Sequence, residues 1–168
     1  DPNNYRKASQ AQIKNWTLTD VFPPGSTFKT ITVASAMDLG KINPSSRILD
    51  TGKTTIGNWE IKNYDYDVHP YPGEISLEYL FEHSSNIGSI NVAKTMTPKE
   101  FYDCLKKFGF GSRTGIDLPG ESVGLLPYWA QWDKGIQATM AYGYGTSVTA
   151  MQMISAVSAL ANNGVRVT

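Results

Sequence analysis

Over residues 26–39 the apolar side chains Phe28, Ile31, Ala34 and Met37 recur at the spacing of one helical face, and Gly40 follows where a left-handed C-terminal residue is wanted. The pattern predicts a helix whose first turn is Ser26-Thr27-Phe28-Lys29, entered through the stiff Pro23-Pro24-Gly25. Upstream, residues 1–22 are polar and broken, with Ile13, Trp16, Leu18, Val21 and Phe22 irregularly spaced, so no regular structure is expected there. Farther along, Thr54-Thr55-Ile56 and Trp59-Glu60-Ile61 flank Gly57-Asn58, a pair able to supply the positive φ angles of a two-residue hairpin turn. Residues 64–72 are aromatic, acidic and proline-rich, which reads as a surface loop.

Ser76 can cap a helix carrying Leu77, Leu80 and Phe81 that stops near His83, and a second helix is expected from about Ile87 to Met96. Ser84-Ser85-Asn86 lies in the gap between them. Thr97-Pro98-Lys99-Glu100 is the strongest helix start in the chain, combining an N-cap threonine, proline at the first helical position and glutamate three after the cap. That helix carries Phe101, Leu105 and Phe108 and ends at Gly109. After a glycine-rich stretch to Leu126 and the aromatic patch Tyr128, Trp129 and Trp132, a last helix is expected from about Ala150 to Asn162, with Met153, Val157 and Leu160 on its apolar stripe. Residues 165–168 look like the opening of a strand.

The composition fits one globular domain: 168 residues, 40% hydrophobic, with 15 basic and 15 acidic side chains and a single cysteine. A net charge of zero supplies no field to gather phosphate backbones, so no nucleic-acid partner is expected. Cys104 cannot form an internal disulfide and is expected to be buried filler beside Phe101 and Leu105. No apolar run reaches the length of about 18 residues that a membrane span needs, and the first residue is Asp1, so the chain reads as a piece of something longer.

Several motifs fall away. Gly52-Lys53-Thr54 imitates the end of a phosphate loop, but Arg47 stands where the cradle requires glycine. Gly109, Gly111 and Gly115 have the wrong spacing for a dinucleotide fingerprint and follow a helix. Asp65, Asp67 and His69 alternate along a loop that is expected to face water, and no metal site is assigned. Glu74, Glu78 and Glu82, four apart, read as a solvated acidic stripe.

Ser26 and Lys29 differ in kind. Three residues apart on a helix, their Cβ atoms stand about 5–6 Å apart on one face, at the end where free backbone N–H groups point outward. Serine is a poor nucleophile at neutral pH unless a base takes its proton, and a lysine can do so if desolvation and nearby positive charge depress its pKa. The helix N-terminus disfavours the ammonium form and offers N–H groups to a developing oxyanion. Ser-x-x-Lys alone arises by chance about once in every few hundred residues. Here Ser84-Ser85-Asn86 adds a second hydroxyl able to relay a proton and an amide able to position a peptide-like substrate. His83 beside Ser84 needs no catalytic role, since a histidine at a helix end is favourable against the dipole.

At these residues the chain resembles the class B, monofunctional penicillin-binding proteins. The resemblance is carried by Asp1-Pro2-Asn3-Asn4-Tyr5, by Pro24-Gly25-Ser26-Thr27-Phe28-Lys29 and by Ser84-Ser85-Asn86. Two further blocks follow in the family's order, Phe108-Gly109-Phe110-Gly111 with Thr114-Gly115-Ile116-Asp117-Leu118-Pro119-Gly120-Glu121, and Tyr144-Gly145-Thr146-Ser147-Val148-Thr149. It implies an α/β (α+β) fold of the penicillin-binding and serine β-lactamase kind, here mainly the helical lobe with an incomplete antiparallel sheet. Residues 1–168 would be a partial transpeptidase domain, truncated at both ends and without a second domain.

The implied activity is peptidoglycan cross-linking, in cell division or cell-shape maintenance, through a serine acyl-enzyme. Ser26 would be the acylated nucleophile, Lys29 its general base, Ser84 the proton relay and Asn86 a contact to the substrate amide. The implied ligands are D-Ala-D-Ala stem peptides and β-lactams. The implied setting is the extracytoplasmic side of a bacterial membrane, with glycan polymerase, divisome or elongasome proteins as partners and no cofactor. The family's Lys-Ser/Thr-Gly motif does not occur. Losing one oxyanion donor costs about 100- to 1,000-fold in rate, so the isolated chain is expected to be inactive. A serine β-lactamase and a non-catalytic penicillin-sensing or scaffold module are the alternatives.

Overall fold

The computed structural model describes residues 2–167, so Asp1 and Thr168, the outer ends of two of the segments singled out above, lie outside the described residues. In chain order come α1 (Gln10–Ile13), α2 (Trp16–Thr19), α3 (Lys29–Asp38), β1 (Arg47–Asp50), β2 (Lys53–Ile56), β3 (Trp59–Lys62) and β4 (Gly73–Ser76). They are followed by α4 (Leu77–Glu82), α5 (Asn86–Ala93), α6 (Pro98–Lys107), α7 (Lys134–Ala141) and α8 (Ala150–Ala161), with 3₁₀ turns at Pro2–Lys7, where two are joined across a kink at Asn4, and at Gly25–Phe28 and Trp129–Gln131. β1 pairs with β4 and β2 with β3, both antiparallel, and the two pairs form separate small sheets. This is the α/β arrangement with a helical lobe that the sequence implies.

α3 is the axis of the molecule. It packs against α5, α6 and α8, and Phe28, Ile31, Val33 and Ala36 are all buried along it. A helix enclosed on most sides cannot keep a single apolar stripe, which is why Thr32 and Ser35 are buried too and return their hydroxyls to the carbonyls of Ala141 and Ile31. The predicted stripe therefore holds only in part: Met37 is exposed. Burying each of the large apolar residues contributes about 1.5–3 kcal/mol.

Local chemistry explains the boundaries. The hairpin forms with Ile56 opposite Trp59 and Gly57 at φ +60°, as its turn pair requires. Thr97 and Glu100 close a reciprocal capping box at the start of α6, and Gly109 takes φ +94° after its end. The aromatic side chain of Phe101 meets Trp132 edge-on, and Cys104 is buried as expected.

The structure also departs from the expected elements. Residues 2–19 fold into short helical turns, because Ser9 and Gln12 make a capping box and Leu18 buries completely. The first turn around Ser26 is 3₁₀, with regular α-helix starting at Lys29. β1 and β4 were not legible as strands, and Glu74 sits on β4 instead of sharing a helical face with Glu78 and Glu82. α7 starts from an Asp133 cap and donates Gln137 Nε2 to the Ala93 carbonyl at the end of α5 and to the Met96 carbonyl beyond it. On α8 the buried residues are Gln152, Ala156 and Ala159, while Val157 and Leu160 of the predicted stripe are exposed. Residues 165–167 are irregular rather than strand.

Candidate active site

The turn that presents Ser26 is fixed from two sides. Gly25, at φ +58°, donates its N–H to the Gly143 carbonyl at 3.1 Å. Gly143, at φ +85°, approaches so closely that a Cβ there would lie 2.2 Å from the Gly25 oxygen. A Phe22–Val148 backbone bridge ties down the strand-like approach. Thr27 Oγ1 donates to the Pro24 carbonyl at 2.8 Å, and the Phe28 ring wedges against Phe110 with centroids 5.1 Å apart. The result is an exposed Ser26 on a rigid support.

Lys29, one turn on, goes the other way. It is 2% exposed, and its Nζ donates to the Ser84 carbonyl and, at 2.9 Å, to Ser84 Oγ. Burial lowers its pKa from 10.5 to about 8. Desolvation is the cause, and the nearby positive charge expected from the sequence is not needed. At pH 7 about one such lysine in ten is neutral, against fewer than about one in a thousand for an ordinary one.

Ser84 reaches Lys29 because α4 ends in a Schellman turn, with the Ser85 N–H on the Leu80 carbonyl and the Ser84 N–H on Phe81. Ser84 itself occupies the left-handed position, φ 48°, usually held by glycine. Ser85 then caps α5, its Oγ accepting from Gly88 N at 2.7 Å and donating to Asp50 Oδ2 at 2.5 Å. Asp50 is fully buried, and its carboxylate also receives Asn63 Nδ2 on both oxygens and the Gly52 N–H. Asn63 Oδ1 in turn accepts from the Asn86 and Ile87 N–H groups. The Ser84–Asn86 segment is thus held by Asp50 at the end of β1 and Asn63 just after β3.

Of the four residues picked from the sequence, Lys29 and Ser84 are in direct contact, and Ser26 stands at the exposed start of the same helical turn as Lys29. Asn86 is on the first turn of α5 and spends one amide hydrogen on the Lys62 carbonyl at 2.8 Å, which fixes its plane beside the hairpin. Asp50, Asn63 and Gly143 carry no pattern of their own in the sequence; the only hint of Asp50 is the Asp-Thr-Gly turn it begins. A groove of about 840 Å³ runs between the hairpin tip and α7 past Ile56, Trp59 and Tyr144. A Cβ placed on Gly25 would meet the Tyr144 hydroxyl at 3.8 Å, so this groove opens beside the Ser26 turn without being lined by Ser26.

Residues 1–168 match the family model described as the penicillin binding protein transpeptidase domain. The chain belongs to that family, on its class B branch. It is 36% identical over 164 residues to the probable peptidoglycan D,D-transpeptidase PenA of Neisseria flavescens, covering 98% of this chain and 40% of that protein. It is 34% identical to the peptidoglycan D,D-transpeptidase FtsI of Escherichia coli, over 98% of this chain and 27% of FtsI. The crystal structure of penicillin-binding protein 3 of Mycobacterium tuberculosis in complex with aztreonam superposes with a TM-score of 0.85 at 31% identity, over 98% of this chain and 36% of that one. The chain therefore spans well under half the length of these relatives.

Proposed function

We propose that residues 1–168 are a partial transpeptidase domain, the portion of a peptidoglycan D,D-transpeptidase that carries its acylating serine. Neutral Lys29 takes the hydroxyl proton of Ser26 as Ser26 Oγ attacks the carbonyl between the two D-Ala residues of a stem peptide. The proton passes through Ser84 Oγ to the amine of the departing D-Ala, and Asn86 orients the peptide amide. Attack by an amine of a neighbouring stem peptide then releases Ser26 and completes the cross-link. A β-lactam, whose strained amide imitates the dipeptide, acylates the same hydroxyl and remains attached. The kinship with FtsI and PenA supports a role in wall synthesis outside the cytoplasmic membrane, FtsI pointing to division, alongside the proteins that polymerise glycan. Among the described residues no helix is long and apolar enough to cross a membrane.

The observation that carries this reading is Lys29: a lysine almost wholly buried, lowered to about 8, and hydrogen-bonded to the hydroxyl of a serine 55 positions away. A structural lysine gains nothing from such burial, whereas a general base needs it. Mass spectrometry of the full-length protein after penicillin treatment should show one adduct, on a peptide containing Ser26, and none in Ser26→Ala. An adduct on another residue in the wild type would overturn the assignment.

A further inference from the structure

Next to Ser84 in the chain, His83 joins two other side chains with metal-binding atoms. Among the described residues, Asp65, His69 and His83 each place one such atom within 4.8 Å of the other two. We propose that these residues form a binding site for a first-row divalent transition metal of the Zn²⁺ type.

Two elements bring them together. The Val68 and His69 N–H groups both bond to the Asp65 carbonyl, at 2.9 and 2.8 Å, so residues 65–69 make one helical turn with Asp65 and His69 on the same face. His83 is the C-cap of α4, and its Nδ1 lies 2.9 Å from Asp65 Oδ2. The Tyr79 ring stacks on the His83 imidazole at 3.9 Å with an interplanar angle of 12°, which fixes the plane of that ligand. The His69 ring stands edge-on to it, 5.4 Å between centroids. Asp65 and His83 are partly buried, while His69 is exposed.

The donor set selects the ion. Two imidazoles and one carboxylate suit Zn²⁺ and its neighbours, whereas Ca²⁺ and Mg²⁺ require oxygen ligands in larger number. A tetrahedral shell with bonds of about 2.0–2.1 Å sets its ligand atoms about 3.3 Å apart. The cluster closes to that spacing by a rotamer change of His69 and by exchanging the hydrogen-bonded proton between His83 and Asp65 for the ion. Three protein ligands leave a fourth position for water. Occupancy would clamp the loop at residues 64–72 to the end of α4, one residue before Ser84, and so brace the serine that Lys29 touches.

The probe is ZnCl₂ titrated calorimetrically into the full-length protein, with Co²⁺ as a spectroscopic reporter. One equivalent is expected to bind, with visible d–d absorption for Co²⁺ at the same stoichiometry. His69→Ala, a change at an exposed side chain, and Asp65→Asn should each weaken binding at least tenfold. His69→Ala should leave metal-free penicillin acylation unchanged, and Ser26→Ala should bind Zn²⁺ as the wild type does, which separates this site from the acylation chemistry. Absence of a stoichiometric Zn²⁺ event in the wild type, or undiminished affinity in His69→Ala, would overturn the proposal.

Discussion

Ser84 stands where a helix end ordinarily places glycine, and its left-handed backbone is the local cost of aiming a hydroxyl at Lys29. The consequence is measurable by comparing two variants that both lack the hydroxyl. Ser84→Gly should be about 1 kcal/mol more stable than Ser84→Ala in urea denaturation, reversing the usual order at a helical site, because only glycine relaxes at φ 48°. Both should acylate with β-lactam at least about 100-fold more slowly than the parent, the ordinary size of a lost proton-transfer group. Lys29 sets the pH response. With the neutral form of Lys29 as the proposed base, the acylation rate should rise with pH by about tenfold per unit and level off above about 8. The same lowered pKa means that between about 8 and 10.5 the unfolded chain binds more protons at this site than the folded one. The Lys29 contribution to stability therefore grows across that interval as pH rises.

At the level of elements, the Ser84–Asn86 segment is mounted on partners that are distant in sequence. Asp50 closes β1 and Asn63 follows β3, and together they satisfy the cap and first N–H groups of α5. Replacing Asp50 by Ala would leave the Gly52 N–H, Asn63 Nδ2 and Ser85 Oγ without their acceptor inside the protein. The expected loss is about 2–4 kcal/mol in chemical denaturation, with slower acylation as Ser84 loosens. This explains how the sequence was legible and where it was not. Helices with local signals, such as α6 with its capping box and α4 with its Ser76 cap, stand where their residues predict. So does the Gly57-Asn58 hairpin. β1 and β4 are four-residue strands whose burial is settled by each other and by α5, so neither shows alternation long enough to read. α7 was hidden by Gly135 and by the threonine Thr139, whose hydroxyl bonds back along the helix. The stripe on α8 misled because the buried face is made of alanines and Gln152, which spends its amide on the Ser112 and Val123 carbonyls. Ser26, Lys29, Ser84 and Asn86 could be selected because their motifs are local, while the scaffold behind them, Asp50 and Asn63, is a product of tertiary contact.

Across the whole molecule, the support for Ser26 comes from residues more than a hundred positions away. Gly143→Ala would drive a methyl group into the Gly25 backbone at a position with φ +85°, where both strain and clash oppose it. A loss of at least about 2 kcal/mol is expected, together with impaired acylation in the fraction that stays folded. Cys104, wholly inside the core and with its thiol pushed up by burial, offers an internal clock for such effects. Its modification by a thiol reagent should be slow in the parent and accelerate in Gly143→Ala in proportion to the population of open molecules. The same core bears on how activity responds to heat. The amine proposed to serve Ser26 grows from the first residue of α3, the helix against which α5, α6 and α8 all pack. A base rooted there has no private melting transition: warming should leave acylation competent up to the temperature at which the entire chain gives way, rather than silencing it beforehand through a loosened loop.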